Sequence, residues 1–453
     1  MRYSICRAAI LTFVAQAALS SVACSDDPKP ATSSSTSSSS GGGAGGEAGG
    51  GAGGVAGMGG GGAGGSGGAG GSGGAGGGGG AGGSGGAGGS GGMGGGGAGG
   101  GGSMASSSLA LGWDHSCVAM VPNGNVRCWG ANDDGQLGNG NNTNSLAPVD
   151  VTSIANAQAA AGGYFHSCVI VDGGAKCWGR NTDGQLGDGS KSNSNVAKDV
   201  IGLDMAIAID GGSSHSCALR SDGTVRCWGS NAYGQLGDGT TVDKSAAVAV
   251  MGLIGATSIS TGGVHTCAAM LDGTAKCWGR NQYGEVGDGT KTQRTAPTSV
   301  SGIVNAKAVA VGLQHSCALL GNGNVVCWGR NDHGQLGNAT NVDSSTPVDV
   351  IGLDNVKQLV AGVRHNCAVR MDGSVRCWGQ NANAQLGDGT LNDKSAPGAV
   401  SGLGSIAALG AGTHHTCAVS NDGQVYCWGN GTSGQLGNGM AMTQNVPVMV
   451  VGL

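Results

Sequence analysis

The chain has 453 residues, a formal charge of −5, 16 cysteines and 100 glycines, of which 44 fall between Gly41 and Gly102 and 56 after Ser103. Three of the 22 bases (Arg2, Arg7, Lys29) and three of the 27 acids (Asp26, Asp27, Glu47) precede Met104, leaving 19 bases and 24 acids in 350 residues. That part is long enough for a large core, and a mildly acidic domain without a basic run carries no electrostatic footprint for nucleic acid.

Residues 1–23 read as an export signal. Arg2 and Arg7 give a basic start, an apolar stretch from Ala8 to about Leu19 follows, and Ser20-Ser21-Val22-Ala23 leads to Cys24. The apolar run is too short for an ordinary membrane-spanning helix and has the length of a signal core; no other apolar run reaches spanning length. The small residues before Cys24 resemble a bacterial lipobox, in which the Cys thiol is acylated before cleavage, although Ser21 stands where Leu is usual. Ordinary cleavage after Ala23 is the alternative. Residues 24–103 form a linker, Ser/Thr/Pro-rich to residue 40 and then Gly with Ala and Ser. The stretch 41–102 has no Pro, which excludes collagen. It cannot bury enough surface to offset its ordering entropy, so it is expected to be a disordered tether with an r.m.s. span of roughly 45 Å.

Residues 104–453 are repeats of about 50 residues. Cys-Trp-Gly occurs seven times, with Trp at 129, 178, 228, 278, 328, 378 and 428. Ahead of each lies Gly-x-x-His-(Ser/Thr/Asn)-Cys, with His at 115, 166, 215, 265, 315, 365 and 415; after each comes a variant of Asn-x-x-Gly-Gln-Leu-Gly-Asp-Gly. In the third copy four short strands are expected: 205–210, 215–220, 224–228 and 247–251, with Asp222-Gly223 as a hairpin signal. One four-stranded antiparallel sheet per repeat needs a neighbour on its apolar face, and radial stacking of seven supplies it. The expected fold is all-β: a seven-bladed propeller of four-stranded antiparallel blades.

The recurring pattern His-x-Cys-Ala-Leu…Asp-Gly-x-Val-x-Cys-Trp-Gly-x-Asn-x-x-Gly-Gln-Leu-Gly-Asp-Gly-Thr resembles the signature of the regulator-of-chromosome-condensation repeat family across residues 105–453. The resemblance implies a seven-bladed propeller in which the chain ends can share a blade. It does not fix an activity: the family includes a chromatin-bound exchange factor for a small GTPase, a secreted inhibitor that caps β-lactamases and a plant photoreceptor.

Cys6 falls in the signal and Cys24 stands alone, which leaves seven pairs: Cys117 with Cys128, Cys168 with Cys177, Cys217 with Cys227, Cys267 with Cys277, Cys317 with Cys327, Cys367 with Cys377, and Cys417 with Cys427. Their separations are 11, 9 and then 10 five times. Hairpin loops of four (Val121 to Gly124), two (Asp172-Gly173) and three (Ser221-Asp222-Gly223) residues absorb the difference and keep each pair opposed. Opposed residues of an antiparallel pair lie within disulfide range, so seven intra-blade disulfides are expected in an oxidising compartment. A zinc site is the weaker alternative, because the spacing lacks a short ligand pair.

A part repeated in every blade serves structure. The seven His are therefore expected to make local hydrogen bonds, the seven Trp to pack blades, and the Gly-Gln-Leu-Gly tracts to form loops; these tracts lack the Lys and following helix of a phosphate loop. Asp188, Asp238, Asp288 and Asp388 lie in Asp-Gly turns that lack the several spaced acids of a calcium loop. Function is expected where repeats differ. The positions between Gly and His hold Trp113-Asp114, Tyr164-Phe165, Ser213-Ser214, Val264, Leu313-Gln314, Val363-Arg364 and Thr413-His414. They should share one rim, with Trp113, Asp114, Tyr164, Phe165, Gln314, Arg364 and His414 as candidate binding residues, because aromatics and Arg anchor interfaces. A second variable position holds Tyr233, Tyr283 and His333, near Asp134, Asp183 and Asp332.

No pair of acids or Ser/His/Asp set stands outside the repeat pattern, so a non-catalytic binding or scaffold role is expected, without cofactor or metal. The expected partner is an extracellular protein or polysaccharide, with no nucleic acid. The chain would act as a monomer held through Cys24 to the bacterial envelope, at the outer membrane surface. Capping of a secreted enzyme, or guanine-nucleotide exchange on a small GTPase, are the alternatives; export separates the chain from cytosolic GTPases.

Overall fold

A computed structural model describes residues 108–120 and 123–453. The signal segment, Cys24 and the linker to residue 103 lie outside the described residues. The described chain is all-β: 28 strands in seven four-stranded antiparallel sheets, each built from four consecutive strands. We number these blades 1 to 7 in chain order, from residues 108–150 to residues 406–449.

Blade 3 illustrates the unit. Its strands are Ala206–Gly211, His215–Arg220, Val225–Gly229 and Lys244–Ala249, innermost to outermost. The outermost strand begins three residues before the sequence expectation. Gly229 pairs with Lys244 across a bulge after Cys227, so polar Lys244 and Ser245 are drawn into the ladder. An apolar pattern cannot mark such a strand, because it is half exposed on the rim.

The hairpins follow the expected loop chemistry. Val171 pairs with Gly174, leaving Asp172-Gly173 as a two-residue loop with φ of 51° and 76°, the doubly positive backbone of a type I′ turn. In blade 3 the Gly223 N–H donates to the Arg220 carbonyl with Gly223 at φ 76°. Each turn places its cysteines directly opposite, and all seven expected disulfides are present. Cys117 is bonded to Cys128, Cys168 to Cys177, Cys217 to Cys227 and Cys267 to Cys277. Cys317 is bonded to Cys327, Cys367 to Cys377 and Cys417 to Cys427. Their Cα atoms lie 4.0–4.1 Å apart, so the sulfurs are engaged with one another and the zinc alternative falls away.

The core lies between blades. Trp178 of blade 2, for example, packs on Ala110, Cys117, Val126, Cys128 and Leu137 of blade 1. Its indole N–H donates to the Gln136 carbonyl of that blade at 2.9 Å. The same bond recurs around the ring at 2.8–3.0 Å. Gly138, with φ 65°, lies where a Cβ would come within 2.7 Å of that indole nitrogen. The Gly-Gln-Leu-Gly tract is therefore a seat for the next blade's tryptophan.

Ring closure needs no shared blade, contrary to what the family resemblance allows. Blades 1 and 7 each hold four strands of their own. They meet as every other pair does: Trp129 donates to the Gln435 carbonyl, Ser116 bonds His415, and the Thr413 N–H donates to the Gly112 carbonyl.

Candidate binding face

Each blade presents at one end its Gly-x-x-His turn and the long loop after Cys-Trp-Gly, and at the other its hairpin; His215 pairing with Gly229 and Gly229 with Lys244 fixes this polarity. Just below the first end lies a closed belt of the seven repeat histidines. Each Nε2 meets a hydroxyl or amide oxygen of the next blade: Ser167, Ser216, Thr266, Ser316, Asn366, Thr416 and, closing the circle, Ser116, at 2.8–3.0 Å. Each of those residues spends its own donor on a backbone carbonyl, as Ser167 on Gln136 and Asn366 on Gln335. The histidine must therefore donate from Nε2, which makes it the neutral tautomer. A charged ring would need a second acceptor at Nδ1, and none is present. Burial accordingly pushes these histidines down to about 3 or 4. They are structural, as the repetition implied, but the expected local hydrogen bonds are replaced by bonds from each blade to the next, because the ring reaches across the blade interface.

Above the belt the repeats differ. Trp113 lies edge-on to Tyr164 (centroids 4.9 Å apart), stacks on Phe165 (5.6 Å) and meets His414 edge-on (6.0 Å), so one cluster spans blades 7, 1 and 2. The Tyr164 hydroxyl is buried without a hydrogen-bond partner. Burial pushes its pKa up, with the charge of Arg364 acting in the opposite direction. Burial, reinforced by Arg364, holds His414 at about 4. Asp114 is partly buried and accepts a hydrogen bond from Gln435 of blade 7 at 2.8 Å; burial raises it to about 6.

The two sets of variable positions, separate in the sequence, form one surface. Arg364 lies 3.1 Å from Nε2 of His333, whose Nδ1 contacts Asp393 at 2.7 Å. Gln314, expected on the rim surface, is buried and accepts from Arg330, and Arg330 pairs with Asp332 at 2.7 Å. Arg330 lies over the Tyr283 ring (4.9 Å), and Arg280 lies over both Tyr283 (5.6 Å) and Tyr233 (5.8 Å). Arg180 lies over Phe165 at 5.5 Å. Asp183 joins this chain of contacts through Thr182, which accepts from Arg180 and donates to Asp183, while Asp134 accepts from Asn193.

Arg180, Arg280 and Arg330 were not marked by the motif pattern. Their signal is positional: each directly follows Cys-Trp-Gly, where other copies carry Ala131, Ser230, Gln380 and Asn430. Blade 4 adds a compensating change. Glu285 replaces the repeat's Gln, is fully buried, and has its oxygen 3.8 Å from the Arg280 guanidinium. Such a pair, stacked between two tyrosine rings, fixes the arginine's orientation.

Two other places are less suited to a ligand. The axial cavity, lined by Gly112, Gly212, Gly312 and Thr413, has a volume of about 40 Å³, room for only about three waters. The Asp-Gly turn carboxylates have protein partners: Asp188 binds Asn181 and Ser190, while Arg294 and Lys394 lie 2.6 Å from Asp288 and Asp388.

A closed seven-bladed propeller with a repeat-built interior, whose aromatic and arginine departures lie at one end, is a repeat propeller. The profile described as RCC1-like domain matches residues 108–412, and that of the regulator of chromosome condensation (RCC1) repeat matches 406–435 and 422–453. The chain belongs to the RCC1-like domain family. No curated protein sequence matches it significantly. Among solved structures it is similar to human WBSCR16 (25% identity, TM-score 0.63, 69% of this chain and 86% of that one). It is also similar to yeast RCC1 (Prp20) bound to Kap60 (21%, TM-score 0.65, 76% and 84%). A further structure, of Prp20p from Saccharomyces cerevisiae, was described with its binding properties to Gsp1p and histones (21%, TM-score 0.64, 76% and 88%).

Proposed function

We propose that the protein is a non-catalytic binding module, exported and held to the bacterial outer membrane surface by acylation of Cys24, with the Gly-rich linker as its tether. Its propeller engages an extracellular protein or polysaccharide through the face that carries Trp113, Tyr164, Phe165, Arg180 and Arg330. One observation carries the reading: aromatic and arginine departures from the repeat lie at one end of the propeller in two contacting groups, Trp113, Tyr164, Phe165 and Arg180, and Tyr233, Arg280, Tyr283 and Arg330. Flat rings and guanidinium groups supply large contact area at small entropic cost, which suits protein anchors and sugar faces alike. Seven buried disulfides are compatible with an oxidising, extracellular location. The exchange-factor reading draws on similarity of fold alone, so it ranks second.

The test is photo-crosslinking in the native envelope, with a benzophenone side chain at position 165 on the face and at position 421 in the opposite hairpin of blade 7. The proposal expects a discrete adduct from 165 and none from 421, and sensitivity to protease or to glycosidase then tells protein from polysaccharide. Adducts of equal yield from both positions would contradict it.

A further inference from the structure

The opposite end of the propeller carries a second departure from the repeat. The hairpin and the connector to the next blade lie there, and residues at matching positions are small or polar in most copies. The connector position holds Asp204, Asp354 and Gly404, but Ile254 and Val304 on either side of blade 4. The first hairpin position holds Ser221, Gly321 and Asn421, but Leu271 in blade 4 and Met371 in blade 6. These four side chains are 72–80% exposed, the most exposed large apolar groups among the described residues.

Three of them adjoin. The Leu271 N–H donates to the Gly255 carbonyl, beside Ile254, and a Cβ on Gly273 would lie 2.4 Å from the carbonyl oxygen of Val304. Ile254, Leu271 and Val304 thus stand on adjoining loops around the blade 4 hairpin and form one apolar tip. The fold does not need them, because the hydrogen bonds that hold this tip are made by backbone and other blades manage with Ser, Gly, Asn or Asp.

We infer that this tip docks the propeller on a lipid bilayer surface. The inference rests on the proposed acylation of Cys24, and two observations select lipid over a protein. First, the chain enters the propeller at this same end: Ser108 pairs with Ala119, next to the hairpin, while Leu111 pairs with Ser116 at the histidine belt. The 83 residues between Cys24 and Ser108 join this face to the anchor, with a maximal reach of about 290 Å, so the tether permits contact. Second, Leu271 and Val304 stand at loop tips, 80% and 76% exposed, while Ile254 (75%) also borders a cavity of about 210 Å³ with Arg220 and Arg226. A protein partner would need a matching pocket, whereas a bilayer interface accepts isolated apolar projections. Docked in this way, the aromatic and arginine face points away from the membrane.

The test uses the full mature chain with Cys24→Ser, which removes acylation, and extruded vesicles of phosphatidylethanolamine and phosphatidylglycerol. Co-sedimentation is compared between that chain and the same chain carrying Ile254→Ser, Leu271→Ser and Val304→Ser. The inference expects vesicle binding by the first and a loss of at least tenfold in partition for the second. Unchanged native circular dichroism establishes that the variant is folded, and Leu271→Ser alone is the fallback if it is not. Equal partition of the two, or no binding by either, would overturn it. So would concentration-dependent self-association without vesicles that the triple variant abolishes, because a second copy would then be the occupant. Acylation is read independently, as the mass of the Cys24 peptide from the unsubstituted protein, so failure of the anchor and failure of the docking tip are distinguishable.

Discussion

Gly237→Ala is a substitution of one methyl group that the structure makes severe. Two terms add. Gly237 has φ +67°, and an L-residue held in the left-handed region costs about 1–2 kcal/mol. A Cβ there would also lie 2.6 Å from Nε1 and 2.9 Å from Cδ1 of Trp278. That indole is fully buried and donates to the Gln235 carbonyl at 3.0 Å, so it has no free direction of retreat. Overpacking of this kind costs about 1–3 kcal/mol, for a total loss of about 2–5 kcal/mol. Gly252→Ala is the control, because Gly252 has φ +63° with nothing within 4 Å of its Cβ. It carries the backbone term alone, about 1–2 kcal/mol. The chain itself carries Ala339 and Ala384 at φ 60° and 64°, while the position against the indole is Gly in all seven repeats. Urea unfolding followed by tryptophan fluorescence, disulfides intact, measures both variants. Equal losses would refute the argument that the indole seat dictates this glycine.

Further predictions concern the belt, the disulfides and the face. The repeat histidines are held at about 3 or 4 against an unfolded value near 6.5. The unfolded chain therefore binds protons first, and stability is full above about pH 6.5 and falls as pH drops toward 4. The urea midpoint at pH 4.5 should lie well below that at pH 7; equal midpoints would show that the rings protonate in place. Asp210, which burial raises to about 8, acts in the opposite sense, as do Asp114 and Glu285, three groups against seven. Replacing Cys217 and Cys227 together by Ser removes one ten-residue closure and should cost about 2–3 kcal/mol in urea unfolding. In the native state none of the fourteen propeller cysteines should react with iodoacetamide, since all are bonded and at most 1% exposed. Arg280→Ala leaves buried Glu285 without its counter-charge. It should lower stability at pH 8 more than at pH 5, because the carboxyl is already raised by burial and is neutralised more readily at the lower pH.

What the sequence discloses follows from what repetition encodes. Seven sheets, the strand His215–Arg220, the two-residue turn at Asp172-Gly173 and every disulfide partner follow from spacing alone, because turn chemistry and pairing are local. The outermost strands do not, because a half-exposed ladder containing Lys244 and Ser245 has no apolar period. Nor does the union of the two variable positions: Arg364 meets His333 only because adjacent blades place their loops side by side. The arginines after Cys-Trp-Gly are masked by standing next to a motif that draws attention to itself. Asp114, a surface candidate by its place in the repeat, is partly buried and bonded to Gln435 between blades 1 and 7, a partner that only ring closure supplies.

Recognition by the non-repeat aromatic and arginine face is tested most directly by the affinity of the species crosslinked at position 165. Calorimetry compares the unsubstituted chain, Phe165→Ala with Arg180→Ala, and Leu271→Ser at the opposite end. Recognition through this face predicts a loss of about 2 kcal/mol or more, some thirtyfold in Kd, for the face variant, and an unchanged Kd for Leu271→Ser. An unchanged Kd for the face variant would contradict it.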